Sequence, residues 1–203
     1  MLAAALATAP PPSGSAAPAP RPVPPDLHHL ALDPARSDVR FVLSTTWGYV
    51  QGNLKELSGE VVSASGDPFT DGAVTIEMRA GSLTTDDDRR DRGLKAQQLA
   101  AGDHPVIRFV STGHPEISSI ARNPNGVART ASLLLAGDLT IRGVTRPVSL
   151  TLNARREAEG FVVSGETVVR MSEHGIPDPS VFYDKVQDTV AVGFDLFLRA
   201  GAR

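Results

Sequence analysis

Apolar and polar residues alternate with a period of two along most of the chain from Leu27 onward, a pattern that admits sheet and little else. From Asp38 to Leu43, Val39, Phe41 and Leu43 share one face while Asp38 and Arg40 take the other. Between Ala73 and Arg79, Val74, Ile76 and Met78 oppose Thr75, Glu77 and Arg79. Leu133, Leu135, Leu139 and Ile141 stand against Asp138, Thr140 and Arg142, and Val148, Leu150 and Leu152 against Ser149, Thr151 and Asn153. Val190, Val192, Phe194, Leu196 and Leu198 again share a face. A strand with one dry face and one wet face belongs in an antiparallel sheet. Turn residues punctuate these runs at Gly66-Asp67-Pro68, Asp71-Gly72, Asn123-Pro124-Asn125-Gly126 and Glu159-Gly160. Strands are therefore expected over 38–46, 50–64, 73–80, 105–112, 130–142, 147–156, 161–170 and 188–199. That is eight, a number whose closure leaves room for packed side chains or one small ligand. Closure also removes the exposed edges that an open sheet must protect.

One segment breaks the period. Asp86 to Leu99 is poor in β-branched residues and carries acids at its start. Asp86 or Asp87 can cap a short helix there, and the acids suit its N-terminal dipole. The expected architecture is all-β, an eight-stranded antiparallel barrel over 27–203 with one short helix at about 86–100. Residues 1–26 differ in kind, since Met1 to Pro25 is almost wholly Ala, Pro and Ser with Arg21 as its one charge. Such a segment has nothing to pack and is expected to be an extended, disordered tail. Met1 to Ala7 resembles the end of a signal-peptide core, with Ala7-Thr8-Ala9 as an A-x-A-like cleavage site. No positive charge precedes that apolar run and Pro10 follows the cut, so a remnant export signal and a plain tail both stay open. The net charge of −3 argues against nucleic acid as a partner. Without cysteine there is neither a disulfide nor a thiolate metal site.

The stretch Gly137-Asp138-Leu139-Thr140-Ile141-Arg142-Gly143-Val144-Thr145-Arg146-Pro147-Val148-Ser149-Leu150 closely resembles the signature hairpin of the YceI-like family of lipocalin-like proteins. Leu32-Asp33-Pro34-Ala35-Arg36-Ser37-Asp38-Val39-Arg40-Phe41 is similar to the family's opening strand, and Gly52 with Leu57-Ser58-Gly59 to its second. Arg90-Asp91, Leu94 and Pro105 to Phe109 match its helix and following strand, and Gly175-Ile176 its C-terminal part. The likeness runs from about Leu32 to Arg199. Two places depart from it. Leu99-Ala100-Ala101 stand where the family commonly has aromatic residues. Arg170-Met171-Ser172-Glu173-His174-Gly175-Ile176 replaces its Arg-x-Asp-Phe-Gly-Ile pattern. The resemblance implies a lipocalin-like barrel, periplasmic or secreted, that holds a polyisoprenoid or quinone-like lipid, with transient membrane contact. It implies no catalytic residues, no metal and no cofactor beyond the lipid. Oligomeric state is left open, a dimer included.

An isoprenoid chain carries no hydrogen-bonding groups along its length, so its site must be an apolar tunnel. The inward faces supply Val39, Phe41, Leu43, Val74, Ile76, Met78, Ile107, Phe109, Leu139, Ile141, Phe194 and Leu196 as expected lining, with Met78 able to adapt to a branched chain. Alternation alone fits a solid core equally well. Arg142 and Arg146 flank a turn and are candidates for a ligand's polar head; pairing with acids on neighbouring loops is the plainer expectation. His28-His29 lack a third metal ligand, and His104 and His114 each precede a proline in expected surface turns. Glu173-His174, with Asp178 and Asp184, is the one acid–base-like cluster, in a Pro/Gly-rich loop expected to be a solvated rim. Two alternatives stand beside the carrier. One is a small-molecule isomerase or hydrolase using Glu173 or His174, and the other a stress-related interaction module with a filled barrel.

Overall fold

The computed structural model describes residues 26–201; the tail and the Ala7-Thr8-Ala9 site lie outside them. Strands β1 (Asp26–Leu32) and β2 (Asp38–Thr45) form one long run broken by a 3-10 turn at Pro34–Arg36. Strands β3 (Gly48–Leu54) and β4 (Leu57–Val62) form a second broken run, β5 (Ala73–Arg79) and β6 (Leu83–Thr84) a third, β7 (Val106–Ser111) and β8 (Glu116–Arg122) a fourth. Strands β9 (Ala128–Ile141), β10 (Val144–Arg156), β11 (Gly160–Arg170) and β12 (Val186–Gly201) complete the sheet. β1 pairs with both β4 and β12, so the order β1-β4-β5-β7-β9-β10-β11-β12 returns to its start and the barrel closes with eight antiparallel members. Each break has its own chemistry. Asp33 caps the 3-10 turn by accepting from the Ala35 amide, and the Arg36 guanidinium lies 3.4 Å over the Phe197 ring. At the second break the Ser82 hydroxyl accepts from the Lys55 and Glu56 amides, which the interrupted ladder leaves without strand partners.

Strands stand at all eight expected places at bounds shifted by a few residues, except that the expected strand 50–64 is divided at Lys55–Glu56 into β3 and β4. Sequence reasoning missed β1, β6 and β8. β8 is mostly exposed and has no dry face to betray it, while β1 adjoins the Pro-rich segment. The β9–β10 hairpin pairs Ile141 with Val144 across a two-residue turn in which Arg142 and Gly143 have φ of 52° and 74°. That is the turn whose twist suits right-handed strands.

The expected helix is shorter and less regular than 86–100. It is α-helical over Asp88–Gly93 and widens to a π-helix over Leu94–Gln98. A second helical turn, Pro68–Asp71, was not anticipated. Of the two candidate caps the structure uses Asp87, which accepts from the Arg89 and Arg90 amides, while Asp86 sits at φ 60°. The helix is held to the barrel by buried Asp91. Its Oδ1 accepts from the Thr85 amide at 2.8 Å and the Thr85 hydroxyl at 2.6 Å. Burial opposes the charge on Asp91, but the hydrogen bonds from Thr85 and Thr84 prevail and hold its carboxyl below the usual aspartate range.

Asp91→Ala leaves the Thr85 donors unpaired in a buried place and is expected to cost about 1–3 kcal/mol in urea unfolding. The pH dependence has a fixed sign. A carboxyl lowered in the fold contributes stability above its ordinary value of roughly 4 and loses it as pH falls through the lowered one. The wild type should therefore weaken on acidification more steeply than Asp91→Asn, which has no proton to gain.

Candidate functional site

Because alternate residues on every strand face inward, the lumen is walled by aliphatic and phenyl groups. It is not solid: an interior cavity of about 260 Å³ runs through it. All twelve residues expected from alternation line it, from Val39, Phe41 and Leu43 round to Phe194 and Leu196. Val74, Met78, Val148, Leu150, Val163, Val192 and Phe194 point inward yet are only half-buried, because part of their surface faces this space. Among the described residues that line it, only Gln98 and Thr167 carry a polar side chain.

Three phenyl rings explain why the space survives. Phe41 lies opposite Gly52 and Phe194 opposite Gly165, while Phe109 lies beside Gly137. A Cβ on Gly52 would come within 2.4 Å of the Phe41 ring, one on Gly137 within 2.4 Å of Phe109, and one on Gly165 within 2.6 Å of Phe194. Each ring therefore occupies the place of a missing side chain and lies along the wall. With any larger residue beneath, it would have to project into the lumen.

The two ends differ. At one, Phe69 of the Pro68–Asp71 turn meets Phe161 edge-on with ring centroids 5.2 Å apart, and with Leu30 this end is tightly packed. At the other, the lining comes from half-buried Leu94, Gln98 and Leu99 of the helix and its exit, and from Ile176 and Pro179 of the β11–β12 loop. Alternation could not reveal these end residues, because they lie outside strands or require the three-dimensional pairing of distant turns.

The polar candidates are placed differently from expectation. Neither Arg142 nor Arg146 lines the cavity. Arg142 Nη1 donates to the Gln97 and Gln98 carbonyls at 2.8 and 3.0 Å, where it satisfies the end of the π-helix and pins it to the hairpin. Arg146 is exposed and donates to its neighbour's carbonyl, Thr145. His174 is not on a solvated rim: it is 1% exposed, and its Nδ1 donates to the Val144 carbonyl at 3.0 Å. The αL residue Gly175 ends its 3-10 turn, and Asp188 ties the turn to β12 by accepting from the Ser172 hydroxyl and amide. Those bonds, the hydroxyl's foremost, lower the Asp188 carboxyl below the ordinary aspartate range. Glu173 points outward to Arg170, and Asp178 and Asp184 accept from the Ser180 and Thr46 amides, so the four acid–base candidates do not converge. His28 engages the Ser63 carbonyl and His29 engages Glu60. Among the described residues no three His, Asp or Glu side chains form a metal set.

Gly137→Ala should push the Phe109 ring towards the lumen and crowd the Val110 carbonyl, 2.6 Å from the added methyl. Overpacking of this kind costs about 1–3 kcal/mol. Thermal unfolding should register the loss and an apolar fluorescent probe should bind less well; adding Phe109→Leu should restore part of both.

The YceI-like domain family matches residues 30–198. A relative described as a UPF0312 protein, from Shewanella denitrificans, is 28% identical over 152 residues, 70% of this chain and 72% of its own. A polyisoprenoid binding domain from Saccharophagus degradans, implicated in plant cell wall breakdown, has a similar structure. Its TM-score is 0.68 at 19% identity, with 86% of this chain and 99% of that one covered. Burkholderia cenocepacia BcnA is similar at TM-score 0.66 and 19% identity, over 81% and 98%. At such identities the structural likeness speaks to the fold, and both solved chains are covered almost end to end. With the closed eight-stranded barrel and a match spanning nearly all of it, this chain belongs to the YceI-like domain family.

Proposed function

We propose that this protein binds a long apolar isoprenoid chain, a polyprenyl or quinone tail, inside its barrel and carries it reversibly. The cavity carries the reading: an apolar space inside the barrel, with two polar side chains among the described residues of its wall, suits a ligand without hydrogen-bonding groups along its length. Its volume of about 260 Å³ suits a thin chain better than a bulky ring system. The likeness to a polyisoprenoid binding domain supports the same ligand class. Energetics favour carriage over irreversible extraction. Each buried methylene gains roughly 0.8 kcal/mol relative to water, but a prenyl tail already has that gain in a bilayer. Transfer into the barrel is thus a small difference between large terms. An exported location, periplasmic or secreted, belongs to the same proposal.

The acid–base alternative has little geometry behind it, since His174 faces the Val144 carbonyl and neither it nor Glu173 lines the cavity. The filled-barrel alternative is opposed by the cavity itself.

Organic extraction of the purified protein should release an isoprenoid lipid detectable by mass analysis. Delipidated protein mixed with vesicles holding labelled polyprenol should exchange label in both directions. Leu150→Trp, which fills the cavity, should abolish uptake while the fold persists by circular dichroism. Uptake unaffected by that change, or one-way uptake, would contradict the proposal. Fractionation of expressing cells should find the chain outside the cytoplasm.

A further inference from the structure

Exposed aromatic residues gather at one end of the barrel. Trp47 on the β2–β3 turn and Tyr49 at the start of β3 stand at 78% and 68% exposure. Phe182 and Tyr183, on the loop leading into β12, are 98% and 75% exposed, with Val181 beside them. The two segments are knitted together. The Trp47 indole donates to the Tyr183 carbonyl at 2.7 Å, the Thr46 amide to the Lys185 carbonyl at 2.9 Å, and the Lys185 amide to the Thr46 hydroxyl at 3.0 Å. Leaving a side chain such as Phe182 in water forfeits the gain of burial, and a soluble chain rarely clusters several.

We infer that this aromatic rim docks the barrel's loading end onto the headgroup–acyl boundary of a lipid bilayer. The inference rests on the carrier reading above. Three observations choose a bilayer over another protein. Trp and Tyr, with an apolar body and a polar edge, are the residues that settle at membrane interfaces. These two segments carry little charge and no excess of base: residues 45–49 carry none, and residues 177–185 hold Asp178, Asp184 and Lys185, a net charge of −1. The two segments therefore suit zwitterionic lipid and supply no basic field of their own for anionic headgroups. Finally, the patch is continuous with the cavity. Pro179 lies on the same loop as Phe182, Leu43 lies on the strand that leads to Trp47, and both line the lumen at its less tightly packed end. A prenyl chain leaving the bilayer at this rim would pass from acyl tails to barrel wall without crossing water.

Trp47 is the sole tryptophan, so its fluorescence reports on the patch directly. Full-length protein titrated with pure phosphatidylcholine vesicles should show a blue-shifted emission that is quenched by bromine-labelled acyl chains. The binding should be insensitive to added salt, as expected for apolar contact. The double change Phe182→Ser with Tyr183→Ser should reduce vesicle partitioning by about tenfold or more. It should slow polyprenol transfer from vesicles while leaving the amount of lipid held at saturation unchanged. Circular dichroism checks that the variant is folded, and lipid content by mass analysis separates the two ideas. Protein that holds lipid but shows no Trp47 response to vesicles overturns the docking and leaves the carrier reading intact. Protein that docks but never holds lipid overturns the carrier reading alone. Binding that needs anionic lipid and is reversed by salt also overturns the inference. So does a Trp47 shift that follows protein concentration and ignores vesicles, which would assign the surface to a second copy of the chain.

Discussion

Phe109 stacked over Gly137 shows what the molecule depends on. A closed eight-stranded sheet has just enough interior for its own side chains to fill, and whether it becomes a solid core or a container turns on where the largest of those side chains lie. Here three rings lie flat over glycines at positions 52, 137 and 165, each too close to admit even a methyl group beneath. The bulk that would have met at the centre is moved into the wall. What remains is a slender apolar void bounded by Val, Leu and Ile, while β-sheet hydrogen bonding stays intact around the full circumference. The glycines weaken their strands individually, and the overlying rings offset part of that by covering the bare backbone.

The ends then give the void a direction. Phe69 and Phe161 close one, while the other is covered by a helix and a loop that do not belong to the sheet. Both covers are held by hydrogen bonds. Asp91 grips Thr85, Arg142 grips the last carbonyls of the π-helix, and Asp188 grips Ser172. Arg142 and His174, the side chains in this region that look most reactive on paper, turn out to brace these covers. An arginine with two backbone carbonyls and a histidine against another carbonyl are positioning devices, and they explain how irregular segments keep a defined place over an apolar mouth.

Much of this was legible from alternation. The dry faces of β2, β5, β7, β9 and β12 could be read directly, because in a strand a residue's side follows from its parity alone. The tight turn between Ile141 and Val144 was placed only loosely, since the expected strands ended at 142 and began again at 147, three residues after the observed start of β10. What parity could not reveal was emptiness, since a wall residue in a container and a core residue in a solid barrel have the same pattern. Glycines at 52, 137 and 165 were the missing signal: each sits at an inward position where a filled core would carry a branched side chain. His174 was misjudged because a Pro/Gly-rich loop usually runs over the surface, whereas here the turn folds back against β10. β8 escaped notice for the opposite reason, being a strand with almost no apolar face.

The seam of the barrel is made by β1 and β12, with Asp26 beside Gly201 and Leu32 beside Leu198. Because β12 also holds β11 and β2, its sixteen residues border three other strands at once. Until they join, what precedes them is an open curled ribbon with two bare edges and a greasy inner surface in contact with water. Closure is thus all or nothing in a topological sense: the chamber does not exist in partial form, and its inside is separate from its outside only once β12 lies beside β1.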